Sequence, residues 1–217
     1  MPAGRCVLNN KVLYHITNYK NFKNILRDGK ILCKNKIDIA GTNYINIAYE
    51  GIQDRRSRKE VPLPPFGNLH DYVPFYFAPR SPMLYAIHKG NVDGYIEGQE
   101  SIIYLIVNML NILATGCRFV YTDGHPIVMI SDFYNDIDQI NTVIDWDLMK
   151  SKYWSDIEED NDRKRRRQAE FLIYQSVSIK LLDQIIVYNL TMKNKIKQLL
   201  SNYNYKIPVI SKKELYY

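Results

Sequence analysis

The chain has 217 residues, 29 of them basic and 23 acidic, giving a net charge of +6 and an isoelectric point near 9.0. A hydrophobic share of 46% excludes global disorder, and the length suits one domain over residues 1–217 with its own core. Three scattered cysteines, Cys6, Cys33 and Cys117, exclude a disulfide framework or zinc spacing and point to a reducing cytoplasm, and the basic balance mildly favours a polyanionic partner.

Residues 1–10 read as a loose arm without a signal peptide's apolar core. Val12 to Thr17 reads as a strand, with Leu13 and His15 on one side and Tyr14 and Ile16 on the other. Phe22, Ile25 and Leu26 recur at helical spacing, and Asp28-Gly29 stops that helix. Periodicity is weak from Lys30 to Pro65, although Ile45, Ile47, Ala48 and Ile52 suit a helical turn or two. The same stretch holds Gln53-Asp-Arg-Arg-Ser-Arg-Lys59, whose arginines suit a bidentate grip on phosphate or, more blandly, a solvated charge run.

From Asp71 to Gly90 a strand hands over to a helix. Pro74 and Pro79 bracket the apolar half, and Ser81-Pro82 supplies a cap and a first-turn proline. Met83, Leu84, Ile87 and His88 share one helical face, and Gly90 offers a left-handed stop. Arg80 stands at the joint, suited either to an anion or to a plain solvent-facing position.

Ile102 to Val107 is a continuous branched run, the mark of a strand covered on both faces. With Asn108 and Asn111 behind it, the apolar run to Ala114 is too short and too polar for a bilayer, so no membrane attachment is expected. A short helix to Thr115 follows, closed by Gly116, then a strand from Phe119 with a turn at Asp123-Gly124. Pro126 to Ile130 is expected to run extended, and Asp132 to Trp154 to form two helical pieces with Asp145 as a cap. The basic run Lys164-Arg165-Arg166-Arg167 leads into an apolar segment with Glu170 at the seam. A strand at Gln184–Tyr188, a helix from Thr191 to Leu200 and a late strand kept at the edge by Pro208 complete an α+β reading with a largely β centre. Eighteen tyrosines against 7 phenylalanines suit base stacking, and equally suit strands.

No Walker or Rossmann glycine pattern, nucleophile elbow or metal-ligand spacing among His15, His70, His88 and His125 is present. What remains is a set of arginines, a strand-end histidine and threonine, and an isolated glutamate. That set suits cleavage of a glycosidic bond to a cationic leaving group, where a carboxylate stabilises the oxocarbenium-like transition state.

Four motifs give the chain a family resemblance: Tyr14-His-Ile-Thr17 with the Ile25-Leu26 to Gly29 helix end, Ile52-Gln-Asp-Arg-Arg56, His70 to Ile87, and Arg167-Gln-Ala-Glu-Phe-Leu172. The Tyr121-Thr-Asp-Gly-His125 turn and Tyr216-Tyr217 also fit. In these motifs, in order along nearly the whole chain, it resembles the DarT family of DNA ADP-ribosyltransferase toxins. The resemblance implies an ADP-ribosyltransferase-like fold with a split central β-sheet and peripheral helices. It implies transfer of ADP-ribose from NAD, a co-substrate and not a resident cofactor, onto thymine of single-stranded DNA, with a guanine-modifying subclass as the neighbouring alternative. An RNA or protein acceptor, a plain NAD glycohydrolase and a non-catalytic nucleic-acid-binding module are the competing readings. It implies a macrodomain antitoxin partner, DarG, and no metal.

By the same resemblance Glu170 and Arg56 are the catalytic pair. His15, Ile16, Thr17, Asn24 and Leu32 join Arg56 around NAD, with residues 35–58 closing over it. Tyr76, Arg80, Met83, His125, Lys164, Arg165, Arg166 and Arg167 face the DNA, with substrate selection in residues 125–170.

Overall fold

The computed structural model describes Leu8 and residues 11–217, so the expected N-terminal arm, Leu8 apart, and Cys6 lie outside the described residues. The strands are β1 (Val12–Asn18), β2 (Lys30–Leu32), β3 (Tyr72–Tyr76), β4 (Ile102–Asn108), β5 (Phe119–Thr122), β6 (Phe133–Tyr134), β7 (Glu170–Tyr174), β8 (Ser176–Ser178), β9 (Leu182–Val187) and β10 (Val209–Ser211). Between them run α1 (Phe22–Asp28), α2 (Lys34–Ile39), α3 (Glu50–Arg58), α4 (Pro82–His88), α5 (Met109–Ala114), α6 (Ile140–Val143), α7 (Trp146–Lys150), α8 (Arg163–Arg166) and α9 (Leu190–Asn202). None of these helices is long and apolar enough to cross a membrane.

Eight strands form one sheet in the order β10-β9-β4-β1-β3-β7-β5-β6, and β2 pairs with β8 in a second, two-stranded one. The large sheet is antiparallel except where β10 joins β9 at the edge. Its middle is nearly parted. β1 pairs with β4 over seven residues, from Val12↔Asn108 to Asn18↔Ile102, and β3 pairs with β7 over five. Yet β1 meets β3 at Tyr14↔Tyr76 alone.

Pro74 explains the parting. In a strand the N–H and C=O of one residue point to the same side. The Pro74 carbonyl accepts from His15 Nδ1 of β1 at 2.8 Å, so the donor that proline lacks also faces β1. The ladder gives out there, and the His15 imidazole bridges the gap that the missing N–H leaves. The expected split of the central sheet falls at this point.

Strand alternation divides the core. Ile103, Leu105 and Val107 of β4 join Phe75, Phe171 and Leu13 in one continuous layer, covered by Phe22, Ile25 and Leu26 of α1 and by Met192, Ile196 and Leu200 of α9. The other face carries two separate clusters. Ile16, Tyr104 and Ile106 pack with Leu84 and Ile87 of α4, while Val61, Leu69, Tyr72, Ile127 and Leu172 pack at the far end. Tyr76 sides with the first and Ile52 with the second, and the gap between them is the cleft described below.

Local signals explain most element ends. Ser81 Oγ accepts from Leu84 N–H, with Pro82 in the first turn of α4, and Asp145 caps α7 through Leu148 N–H. Gly29 stops α1 in the left-handed region at φ 65°. Three expectations need correction. Residues 45–48 are not helical: Asn46 closes a local turn onto Ala48, and α3 starts only at Glu50, so Arg55 and Arg56 stand on a helix. Residues 126–130 are not extended but fold into successive turns, with Val128 N–H on His125 O and Ser131 N–H on Val128 O. Phe133–Tyr134 pairs with β5 before the helical pieces begin.

Leu105 lies wholly buried in the middle of β4. Leu105→Ala therefore lowers the unfolding free energy by about 2–5 kcal/mol, read by urea titration; a loss below about 1 kcal/mol would show that this layer is loosely packed.

Candidate active site

Glu170 opens β7, opposite Tyr76 of β3 and next to the split. Arg56 reaches it from α3 in a bidentate pair, Nη1 to Oε1 and Nη2 to Oε2, both at 2.9 Å. The two residues are only 3% and 8% exposed. Burial pulls the Arg56 guanidinium down, but the Glu170 charge and its hydrogen bonds outweigh this and hold it above its ordinary value. The Glu170 N–H donates to Thr122 Oγ1 at 3.1 Å, and Thr122 donates on to the Gly124 carbonyl at 2.7 Å. Backbone and side chain of the glutamate are thus fixed independently.

The pair lines a cleft of about 880 Å³. His15, Ile16, Thr17, Asn24 and Leu32 line it too, as do Tyr76, Met83, His125 and Lys164. The His15 Nδ1–H is committed to Pro74 O, which leaves Nε2 as the ring's acceptor in the neutral form. Asn21 donates to Thr17 Oγ1 and Ile45 O and accepts from Ile45 N–H, and Asn24 donates to Asn43 O, so Asn21 just before α1 and Asn24 within it hold the segment that lines the cleft around Ile45. The Tyr76 hydroxyl lies 3.9 Å from Met83 Sδ, and burial followed by the Glu170 charge pushes its pKa up.

His125 sits on the turn after β5. Its Nδ1 accepts from Ile127 N–H at 3.3 Å, so the neutral ring carries its proton on Nε2. Arg165 holds this turn. Its carbonyl accepts from His125 N–H, and Nη1 donates to Asp123 and to Ser131 Oγ, both at 3.1 Å. A side chain at position 124 would displace Arg165, because a Cβ there would stand 2.3 Å from Arg165 Nη1.

The structure divides the basic run. Lys164 alone of the four lines the cleft. Arg165 is paired with Asp123 and Asp162, and Arg166 with Asp145 and Asp160. Arg167 is buried and donates to the carbonyls of Leu148, Met149, Ser151 and Pro79. Internal acceptors have claimed the three arginines expected on DNA. Arg80 lies outside the cleft lining as well. It takes a left-handed backbone at φ 57°, its N–H donates to Tyr104 Oη, its carbonyl accepts from Tyr217 Oη, and its guanidinium lies 4.9 Å from the Tyr217 ring centre. The side chain braces the β3–α4 joint and does not line the cleft.

A sheet parted around a buried, arginine-held glutamate, with a cleft at the parting, is the arrangement that the resemblance to DNA ADP-ribosyltransferases leads one to expect. A family model described as "DarT: ssDNA thymidine ADP-ribosyltransferase, DarT" matches residues 14–217. The DNA ADP-ribosyl transferase of Thermus sp. (strain 2.9) is 40% identical over 191 residues, which is 88% of each chain. The solved structure of Thermus sp. 2.9 DarT with ADP-ribosylated ssDNA matches at a TM-score of 0.89 and 36% identity, covering 96% of this chain and 97% of that one. Its complex with NAD+ matches at 0.85 and 35%, covering 95% and 98%. A DNA ADP-ribosyl transferase-DNA ADP-ribosyl glycohydrolase fusion protein of Thermosipho africanus (strain H17ap60334) is 27% identical over 91% of this chain and 47% of its own length. The chain belongs to the DarT family of DNA ADP-ribosyltransferases.

Sequence reasoning missed Thr122, Gln53, Trp154 and Gln168. Thr122 is the residue under Glu170, and the other three line the cleft. Thr122, Gln53 and Gln168 lie inside matched motifs, but no spacing rule marks a residue that, like Thr122, acts through the backbone of another.

Burial is the first cause lowering the pKa of His15, of His70 and of His125. A lowered folded-state value makes the unfolded chain bind more protons, so this contribution is complete above about pH 6.5 and is lost as pH falls toward the folded values. The melting temperature should therefore drop between pH 7 and 5.5; a flat profile in that window would mean the three rings protonate freely in the fold.

Proposed function

We propose that the chain transfers ADP-ribose from NAD+ to a thymine base of single-stranded DNA, as one catalytic domain acting as a toxin in the cytoplasm. The observation that carries this reading is the Arg56–Glu170 pair, buried at the parting of the sheet in the wall of a large cleft. On this reading His15, Ile16 and Thr17 border the nicotinamide side, and Asn24 and Leu32 complete the NAD+ site. Tyr76, Met83 and His125 face the target base. Lys164, exposed on the cleft, meets a backbone phosphate.

Glu170 has two tasks in this mechanism. It holds a hydroxyl of the nicotinamide ribose and stabilises the positive charge that develops there. It also takes the thymine N3 proton, without whose loss N3 is a poor nucleophile. The ribose–nicotinamide bond breaks, and nicotinamide leaves as a neutral ring with the bonding electrons. N3 forms the new bond to the same ribose carbon, and its proton passes through Glu170 to solvent. Arg56 keeps the carboxylate in one orientation through this exchange. The Nε2–H of His125 suits a carbonyl of the base. Single-stranded DNA avoids the cost of unpairing, about a few kcal/mol.

A partner that removes the mark fits the same reading. The proposed one is a macrodomain protein of the DarG type, and the fused transferase and glycohydrolase of the Thermosipho relative support it.

The test is incubation with NAD+ and four short single strands, each carrying a different base at one variable position, followed by mass measurement. One added ADP-ribose on the thymine strand is expected, and Glu170→Gln, which keeps an acceptor for Arg56, should slow it by about 10²–10⁴-fold. A gain on guanine would change the base assignment. NAD+ consumption with no gain on any strand would move the acceptor to protein, RNA or water.

A further inference from the structure

The turns after His125 end in two consecutive apolar side chains that nothing in the described residues covers. Met129 is 93% exposed and Ile130 69%. Exposed apolar residues standing singly are ordinary, and Ile39, Ile96 and Leu190 are of that kind. The pair at 129–130 differs in its support and position. The residues before it, His125, Ile127 and Val128, line the cleft, and Ile127 is buried in the far cluster on that face of the sheet. Ser131, the residue after it, is buried and accepts from Arg165 Nη1. On the other side Arg55 Nη2 of α3 donates to the Ile127 carbonyl at 3.4 Å. Two arginines from different elements thus hold the ends of a short apolar prong that directly follows residues of the cleft wall.

Exposed Met and Ile side chains are among those that proteins insert as apolar wedges against the faces of bases in duplex DNA, and a held prong beside a site that takes one base has the same chemistry to offer a neighbouring base. Arg55, which holds the Ile127 carbonyl, and Lys164 are exposed and line the same cleft, so a strand leaving it past the prong would have cations for its phosphates. We infer that Met129 and Ile130 form a specificity element that packs against the nucleobase next to the target in the DNA strand. This inference rests on the proposed transfer to single-stranded DNA. It adds that the enzyme reads a flanking base by apolar contact, and not by hydrogen bonds at the base edge.

The experiment compares wild type with the double variant Met129→Ser/Ile130→Ser. Substrates are a single-thymine strand and two versions of it with an abasic site directly 5′ or 3′ of the thymine. Both substituted residues are exposed, so the variant should keep the wild-type melting temperature. The expected result is that wild type modifies one abasic strand about tenfold more slowly than the intact one, the worth of a lost apolar contact. The variant should be about as slow on the intact strand and show no further abasic penalty. An equal abasic penalty in both proteins, or none in wild type, would overturn the inference. So would an unchanged DNA profile together with weakened binding of the macrodomain partner, which would make the prong a protein contact. Absence of any transfer by wild type to the intact strand would instead sink the proposed acceptor, and the inference with it.

Discussion

A bidentate ion pair buried beside a break in a sheet organises this molecule. Removing one partner of such a pair leaves an uncompensated charge, at a cost of about 3–5 kcal/mol. Arg56 and Glu170 are therefore tied to each other's presence before any substrate arrives. The break itself comes from Pro74, whose absent N–H faces β1 and stops the ladder after Tyr14↔Tyr76. Because the strands part there, one face of the sheet holds two clusters instead of one, and the gap between them admits a ligand to the carboxylate.

Around this centre the chain spends much of its charge on itself. Arg165, Arg166 and Arg167 follow one another shortly before β7, and each ties a different part of the segment from 123 to 162. Arg165 holds the turn that carries His125. Arg166 draws Asp145 and Asp160 together. Arg167 collects the carbonyls at the end of α7 and the Pro79 carbonyl at the β3–α4 joint. Tyr217 closes the same joint from the other side, donating to Arg80 O and accepting from Trp154 Nε1 at 2.6 Å each. The segment between β5 and β7, which has little regular structure, is in this way tied down by arginine and tyrosine.

Much of the fold was legible because its signals are local. The continuous run of β4, the Ser81-Pro82 start of α4, the Asp145 cap and the Gly29 stop each act within a few residues. The Arg56–Glu170 pair was legible only through the motifs around it, since the two residues stand 114 positions apart and no periodicity links them. What escaped was the use of each charge. A run of four basic residues reads the same whether it faces solvent, DNA or buried carbonyls, and only long-range partners decide. The tyrosine excess was equally silent: Tyr72, Tyr104, Tyr121 and Tyr216 are among the largest fully buried side chains, where they serve the core and its hydrogen bonds.

The central claim is that Arg56 and Glu170 act as one unit. A double-mutant cycle on the single-turnover rate of ADP-ribose transfer tests it most directly, using Arg56→Lys, Glu170→Gln and the combination. Residues that act as a unit are strongly non-additive. The account predicts that the combined variant is no slower than the slower single one. Losses that multiply would contradict it, and would give the arginine and the glutamate separate roles in the reaction.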